Sequence, residues 1–423
     1  MKVSKSIVTT FLLVILYKIV LELIYVRFVA EVYSYMGFLI DFSIIKLIES
    51  YILLALVYIF LPINGEKISN IAIQILFLLA LIPILSLYAL ADRPRPFVYF
   101  SIIGFCLTVL TVKIFPGIVF RKVRLAKGPF FLAIGLFSLA VYVFLFKLNG
   151  IPSLKAFSFD LVYEIRQEVQ YGFLFGYFSK WQGRVINCFL IGIALYHRKY
   201  IAVILLMGLQ VILFLTVAQK SYLINPLLVI FFFYAIKKRK VMQITLAALT
   251  SVLVFSLMLI ENGLWRLPAS MLARRTMFVP AQISFYYYDY FSQHEKMYLS
   301  NSKVTLGLID NPYEDKFESN ANMIGLFYLG DENIHANTGY LADAYMNFGL
   351  LGVLAFSVLL GIILVLVDSL SNGLDRRVAM AAVIGPVVSL VNGALLTVMF
   401  TGGFLVGLLI IRVYREKDQT WVS

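Results

Sequence analysis

Long apolar stretches separated by short polar ones make up most of this 423-residue chain. Because a helix crosses a bilayer with roughly 20 consecutive apolar residues, the pattern predicts about twelve transmembrane helices. These helices are expected at residues 7–26, 44–61, 68–90, 97–115, 129–148, 185–196, 200–217, 222–236, 241–260, 350–367, 378–391 and 394–411. A count of eleven stays open, since the sixth stretch is short and only Asn392 and Gly393 separate the last two. Eleven helices would place the C-terminus on the other side of the membrane.

The composition predicts an all-α polytopic membrane protein with one integral membrane domain, 1–423. Hydrophobic residues make up 61% of the chain and charged residues 14%, whereas soluble domains have about half and about a quarter. The net charge of +13 comes from short basic clusters between apolar stretches. Such clusters are typical of membrane-protein loops, so no nucleic-acid partner is expected. Cys106 and Cys188 both lie in apolar stretches, which argues against a disulfide framework or a cysteine metal site.

The basic clusters also predict the orientation. With the N-terminus inside, the clusters at 121–127, 197–199, 237–240 and 375–377 and the tail from Arg415 all fall on the inner side, as the positive-inside bias requires. Both termini are then cytoplasmic, and the first apolar stretch is an uncleaved helix. Two long loops, 149–184 and 261–340, fall outside.

Arginines in the second outside loop are the first candidates for chemistry, because the positive-inside bias disfavours them there. Arginine suits phosphate, since its planar fork donates paired hydrogen bonds and stays charged. Arg266, Arg274 and Arg275 therefore predict an anion site near the outer membrane surface. The alternative is that they bind lipid headgroups, or pair with Glu261 and Asp289.

Other cations lie on the same predicted side. Glu164 and Arg166 belong to a polar, amphipathic stretch of the first outside loop. That stretch resembles a helix lying in the membrane interface. Either Glu164 and Arg166 both face water, or Arg166 points toward an anionic group. Lys220 lies in a very short outside turn. It either reaches a substrate phosphate or simply extends toward the headgroups.

Aromatic residues and one histidine complete the candidate set. Tyr286, Tyr287 and Tyr290 either stack on sugar faces or form an interfacial aromatic belt. His335 lies just before the tenth predicted span, where an imidazole could accept a proton from an attacking hydroxyl. A purely structural, hydrogen-bonded role for His335 is the alternative.

Familiar nucleotide and metal motifs do not occur in the sequence. There is no phosphate-binding Gly-rich loop with Lys and Ser or Thr, no zinc-spaced histidine pair and no Gly-x-Ser-x-Gly elbow. ATP-driven transport and metal-dependent hydrolysis are therefore disfavoured, and no cofactor or metal is expected.

The segment from Asn337 to Gly352 reads NTGYLADAYMNFGLLG. It resembles the pattern of the Wzy-type polymerases of O-antigen and capsular polysaccharide, in which a Gly and a small-residue and aromatic stretch precede Phe-Gly-x-x-Gly. These polymerases are membrane glycosyltransferases related to the O-antigen ligases, and His335 resembles the functional histidine of those ligases. The Gln219-Lys220-Ser221 turn also resembles the family. So does the Arg-rich start of the second outside loop, with Arg274, Arg275, Phe278, Pro280 and Ala281.

The resemblance implies a GT-C-like fold in the bacterial inner membrane with the active site on its outer face. It implies that an acceptor sugar hydroxyl attacks the anomeric carbon of a glycan on undecaprenyl diphosphate. The expected partners are these lipid-linked oligosaccharides, membrane lipid, a chain-length regulator and a flippase. The diphosphates are assigned to Arg166, Lys220, Arg266, Arg274 and Arg275. His335 is the candidate base, with Glu164 and Asp343 as substitutes.

Two other functions stay open. An O-antigen ligase shares the donor but passes the glycan to a lipid A core. A flippase or transporter of lipid-linked sugars would place ionisable residues at mid-membrane and often shows internal repeats. Most predicted spans here have uncharged centres, which favours chemistry at the surface. Lys18 and Glu22 in the first span are the exception.

Overall fold

The computed structural model describes residues 5–120, 126–150, 152, 154–157, 169, 174–261, 263–305, 308–313, 317 and 319–414. Over these residues the protein is all-helical, with 78% helix and no strands. Within this part of the chain, eight helices are long and apolar enough to cross a membrane, which confirms a polytopic helical protein. They are Ser6–Val32, Ile68–Leu90, Arg95–Ile114, Lys127–Asn149, Tyr200–Val217, Val241–Met258, Tyr340–Ser371 and Leu395–Val413. The count of twelve stays a prediction.

The described helices follow one another along the chain. They are α1 (Lys5–Ile24), α2 (Ile44–Phe60), α3 (Ile68–Leu90), α4 (Arg95–Ile114), α5 (Lys127–Asn149), α6 (175–196), α7 (Tyr200–Val217), α8 (Ser221–Lys237), α9 (Val241–Met258), α10 (263–293), α11 (Asn320–Leu329), α12 (Tyr340–Ser371), α13 (Arg376–Ser389), α14 (Leu395–Phe400) and α15 (Phe404–Val413). π-Helical stretches occur at Tyr25–Val29, which prolongs α1, and inside α3, α6 and α10. Such stretches widen a helix locally and are frequent at functional sites.

The helix bundle has two ends, which are named here after one residue of each. The Arg93 end contains the turn between α3 and α4, together with α10 and α11. The His197 end contains the turn between α6 and α7 and the start of α5. α12 runs from the first end to the second, where Asp368 accepts hydrogen bonds from the backbone N–H (3.0 Å) and hydroxyl (2.5 Å) of Ser69.

Small residues bring α4 and α12 close together. A Cβ on Gly104 would lie 2.8 Å from the Ser357 hydroxyl, and the Thr108 hydroxyl lies 3.1 Å from the Ser357 carbonyl oxygen. One turn further along α12, a Cβ on Gly361 would lie 2.5 Å from the Cβ of Thr111. Small residues four apart on both helices allow this close approach, as in other membrane helix pairs.

Gly361→Ile is expected to destabilise the protein by about 1–3 kcal/mol, because the added side chain overpacks the α4–α12 contact. Thermal unfolding of the purified protein in detergent measures the change. The matched control is Gly135→Ile in α5, where a new Cβ meets no atom within 4 Å. An equal loss of stability in both variants would show that the close contact is not the cause.

A buried ion pair joins α1 to α2 in the middle of the first span. Lys18 is fully buried and pairs with Glu22, one helical turn away. The Lys18 ammonium also donates to the Ser50 hydroxyl (3.0 Å) and lies 3.9 Å from the ring centroid of Tyr51. The Tyr51 hydroxyl in turn donates to Glu22 (2.7 Å). Each charge of the pair is therefore satisfied by α2 as well as by its partner.

The chain between residues 261 and 340 differs from the long loop that the sequence predicts. It contains α10 and α11, and α10 is buried over most of its length. Met277 contacts the hydroxyl of Tyr17 (3.3 Å) in α1, and Phe285 packs on Phe97 of α4. The apolar side chains of α10 thus pack among α1, α3, α4 and α12, which orders this stretch as a helix.

Candidate functional site

α10 carries the first part of the candidate site at the Arg93 end. Arg274 is half-buried and lies with its Cζ 4.1 Å from the ring centroid of Tyr33, in the segment that follows α1. Its Nε and Nη2 donate to the hydroxyl of Ser270 (3.1 and 3.0 Å). Among the described residues, its Nη1 meets the weak acceptor sulfur of Met36, at 3.5 Å. Ser270 thus holds the Nε and Nη2 side of the guanidinium, whereas the contact of Nη1 with Met36 is weak.

A second arginine, Arg93, faces the same helix from the turn between α3 and α4. Its Cζ lies 5.4 Å from the ring centroid of Tyr286. Its Nε is buried and has no hydrogen-bond partner among the residues that the structure describes. A buried polar atom without a partner is unfavourable and therefore unusual. Arg93 is the cation of this site best suited to accept an anion.

The backbone around Arg93 is fixed by contacts with α2. Lys46 forms an ion pair with Asp92 (2.7 Å) and donates to the carbonyl oxygen of Arg93 (2.7 Å). The N–H of Asp41 donates to the carbonyl oxygen of Leu90 (2.9 Å). These contacts hold the turn against the end of α3 and point it toward α10.

Sequence reasoning missed Arg93 although a signal was present. The stretch Asp92-Arg93-Pro94-Arg95-Pro96 lies between two predicted spans on the side where the positive-inside bias disfavours cations. The same criterion had selected Arg274.

The three candidate tyrosines of α10 are packed against protein rings. Tyr286 stacks on Tyr328 of α11 at a centroid distance of 4.5 Å, and Tyr290 stacks on His294 at 4.0 Å. The hydroxyl of Tyr287 donates to the carbonyl oxygen of Ala336 (3.1 Å). All three residues are at most 8% exposed. Sugar stacking stays a prediction, and in this structure a sugar would have to displace Tyr328 or His294 to reach those faces.

Tyr328 completes the stack and is bound to an acidic residue of α10. Its hydroxyl donates to the carboxylate of Asp289 (2.6 Å). Burial raises the pKa of Tyr328 above its usual range, and the hydrogen bond to Asp289 and that residue's charge raise it further. Arg93, Tyr286, Tyr328 and Asp289 therefore form one contiguous column of cation, rings and carboxylate.

The candidate bases lie close to α10 but in different surroundings. His335 is exposed, and its neighbour Ala336 is tied to Tyr287. Asp343 lies in the first turn of α12 and is only 8% exposed. Its carboxylate accepts a hydrogen bond from Asn347 (3.4 Å) and has no ion-pair partner among the described residues. Of these two, His335 is the one that a substrate can reach without rearrangement.

The Phe-Gly-x-x-Gly pattern has a structural role at this place. α12 breaks at Phe348 and Gly349, where Gly349 has φ 62° and ψ −145°, a conformation that essentially only glycine adopts. The carbonyl oxygens of Met346 and Asn347 before the break accept the N–H groups of Met297 (3.1 Å) and Tyr298 (3.2 Å). A Cβ on Gly352 would collide with the carbonyl oxygen of Ala344. Both glycines therefore serve the shape of the backbone.

Lys296 lies beside this break. It donates to the carbonyl oxygen of Phe291 and lies 4.4 Å from the ring centroid of Tyr345. Burial lowers the pKa of its ammonium. Lys296 is thus a further cation of the Arg93 end that sequence reasoning did not select.

The remaining predicted cations lie in other surroundings. Arg266 is exposed and donates to the carbonyl oxygen of Ile260 (3.0 Å), whereas Arg275 is half-buried in α10. Lys220 precedes α8, and Tyr222 of that helix packs against Gly183 of α6. Beside Gly183, Arg184 donates to the hydroxyl of Ser389 (3.3 Å). Lys220 itself is half-buried.

Two predicted residues, Glu164 and Arg166, lie outside the described part of the chain. Over the part that is described, no group of three or more His, Cys, Asp or Glu side chains could hold a metal ion.

Comparison of the chain with models of known families, with curated proteins and with solved structures finds no match.

Proposed function

We propose that the protein polymerises undecaprenyl-diphosphate-linked oligosaccharide repeat units into O-antigen or capsular polysaccharide. In this proposal the Arg93 end lies at the outer face of the bacterial inner membrane, and both termini are cytoplasmic. The bundle is GT-C-like with about twelve spans.

The observation that carries the proposal is the pair of arginines around α10. Within the described part of the chain, Arg93 has a buried Nε without a hydrogen-bond partner, and the acceptor of Arg274 Nη1 is a thioether. Arg93 follows the end of the apolar helix α3, and Arg274 lies on α10 beside the segment that follows α1; the proposal places both at the level of a membrane-anchored diphosphate. Arginine binds diphosphate oxygens through charge-assisted hydrogen bonds, which are about twice as strong as neutral ones. The resemblance of residues 337–352 to the polymerases supports the same conclusion.

The chemistry is a displacement at the anomeric carbon of the donor glycan. The acceptor hydroxyl oxygen forms the new bond to that carbon while the bond to the diphosphate oxygen breaks. The bonding electrons leave with undecaprenyl diphosphate, and Arg93 and Arg274 stabilise the charge that develops there. Because the diphosphate is already a good leaving group, these residues need to supply only binding and charge.

The proton of the acceptor hydroxyl goes to a base. His335 is exposed, and the carbonyl oxygen of its neighbour Ala336 accepts a hydrogen bond from Tyr287 of α10, the helix that also carries Arg274. We assign the base to His335, since a general base must come within hydrogen-bond distance of the hydroxyl. Asp343 then holds Asn347 and the start of α12 rather than the substrate.

Purified protein in proteoliposomes, given a synthetic undecaprenyl-diphosphate repeat unit without nucleotide or metal, is expected to make a ladder of products on a gel. Release of undecaprenyl diphosphate should match the number of linkages formed. Movement of the labelled lipid between leaflets without a ladder would show that the protein is a transporter and not a polymerase. Transfer of preformed glycan to a lipid A core, without chain growth, would identify a ligase.

A further inference from the structure

A cleft opens between helices at the His197 end, on the opposite side of the bundle from the candidate site. It has a volume of about 520 Å³ and is lined by α5, α6, α7 and Tyr414, which follows α15. This volume lies within the usual range of small-molecule sites, roughly 300–1,000 Å³. The cleft is therefore large enough for part of an amphipathic ligand.

The inner part of the cleft is apolar. Its walls include Phe131 of α5, Ile193 of α6 and Leu206 of α7. Its floor is the ring of Tyr414, which is 3% exposed and packs against Phe189 at a centroid distance of 5.2 Å. From Lys199 to Leu206 the cleft follows α7 for about 10 Å. A hydrocarbon chain fits such walls better than a polar molecule does.

The mouth of the cleft is cationic. Lys127 at the start of α5, His197 at the end of α6 and Lys199 just before α7 all line it, and all three are exposed. Over the described residues, neither lysine pairs with a carboxylate. Two ammonium groups thus lie at the mouth of an apolar cleft, with no carboxylate partner among the residues that the structure describes.

The cleft is accessible from the lipid side. The adjoining face of α7 exposes Ile201 (77%), Ile204 (69%) and Leu205 (66%). In a helix that is long and apolar enough to span a membrane, such a face contacts hydrocarbon. A ligand can enter sideways from the bilayer without passing through water.

We propose that this cleft binds an anionic phospholipid of the leaflet at the His197 end. One acyl chain occupies the apolar part, and the headgroup phosphate lies between Lys127 and Lys199. The distribution of Lys and Arg predicts that this is the cytoplasmic leaflet, and basic pockets between helices on that side suit anionic headgroups. The site is separate from the proposed glycosyl transfer, so either can fail without the other.

The test is titration of the full-length protein, in a neutral detergent, with a fluorescent phosphatidylglycerol. Lys127→Ala/Lys199→Ala is expected to bind it about 30-fold more weakly, since each lysine contributes about fivefold to the affinity for an anionic lipid. Leu206→Trp, which fills the cleft but keeps both charges, should also lose binding. Phosphatidylcholine with the same chains should bind weakly to all variants.

The matched control is Lys237→Ala/Lys238→Ala, which removes the same charge from exposed positions at the same end but outside the cleft. It is expected to bind phosphatidylglycerol as the unmodified protein does. Equal weakening in this control would mean that the overall positive charge of this end attracts the lipid. Unchanged binding in Lys127→Ala/Lys199→Ala would show that the cleft is not the binding site. A polyprenyl phosphate that binds more tightly than phosphatidylglycerol would overturn the phospholipid as occupant.

Discussion

Lys18→Met is expected to lower the free energy of unfolding by about 3–5 kcal/mol, because it leaves the carboxylate of Glu22 buried without its cation. The variant also removes the hydrogen bond to Ser50 and the ammonium–ring contact with Tyr51. Denaturant unfolding of the purified protein in detergent measures the change. The double variant Lys18→Met/Glu22→Gln should recover most of the loss, since neither charge then remains in the apolar interior.

The control for this result is Lys46→Met at the Arg93 end. Lys46 pairs with Asp92, and the two side chains are 14% and 48% exposed; because the carboxylate that Lys46→Met leaves behind reaches water, the loss should be smaller than in Lys18→Met. A loss in Lys46→Met as large as that in Lys18→Met would contradict the role of burial. No recovery in the double variant would mean that the two side chains matter through packing and not through charge.

Arg274→Lys is expected to lower the rate of polymerisation about 10- to 100-fold, which corresponds to one charge-assisted hydrogen bond of roughly 1.5–3 kcal/mol. Lysine keeps the charge but has no planar fork, so it cannot donate to Ser270 and to a diphosphate oxygen in the same geometry. The measurement is the initial rate of ladder formation with the synthetic repeat unit. Thermal unfolding of the same preparation separates loss of activity from loss of fold.

Arg266→Lys is the matched control for Arg274→Lys. Arg266 lies on the same helix but is exposed and bound to a backbone carbonyl. The rate of polymerisation by Arg266→Lys should therefore stay within about twofold of that of the unmodified protein. Full activity in Arg274→Lys would sink the assignment of this arginine to the diphosphate. In that case Arg93→Lys becomes the decisive variant.

Uniformly apolar helices with charged ends could be predicted from the sequence almost residue by residue. The stretches expected at 200–217 and 68–90 are α7 and α3 with the same bounds. α6 instead begins at Phe175, ten residues before the predicted start. Its Gln182 accepts a hydrogen bond from Ser138 (3.1 Å) and donates one to Asn187 (2.7 Å). Hydropathy cannot predict that polar groups find partners inside a bundle.

The candidate site could be predicted only in part, because the residues that form it come from helices distant in the sequence. The side on which a cation lies depends on local sequence, so Arg274 was found and Arg93 could have been. Which cations meet depends on how distant helices pack. The sequence therefore could not show that Arg93 lies over the ring of Tyr286. The burial of Tyr286, Tyr287 and Tyr290 likewise comes from α11 and the segment before α12.

The Lys18–Glu22 pair also bears on how the protein is made. α1 precedes α2 in the chain, so it emerges from the ribosome before Ser50 and Tyr51 do and before they can bind the pair. A lone lysine at the centre of an inserting helix is unfavourable by roughly 2.5–3.5 kcal/mol. Because Glu22 lies one helical turn from Lys18, it offsets part of this cost within α1 alone. Ser50 and Tyr51 of α2 supply the remaining contacts. The first two helices are therefore expected to leave the translocon together as a hairpin.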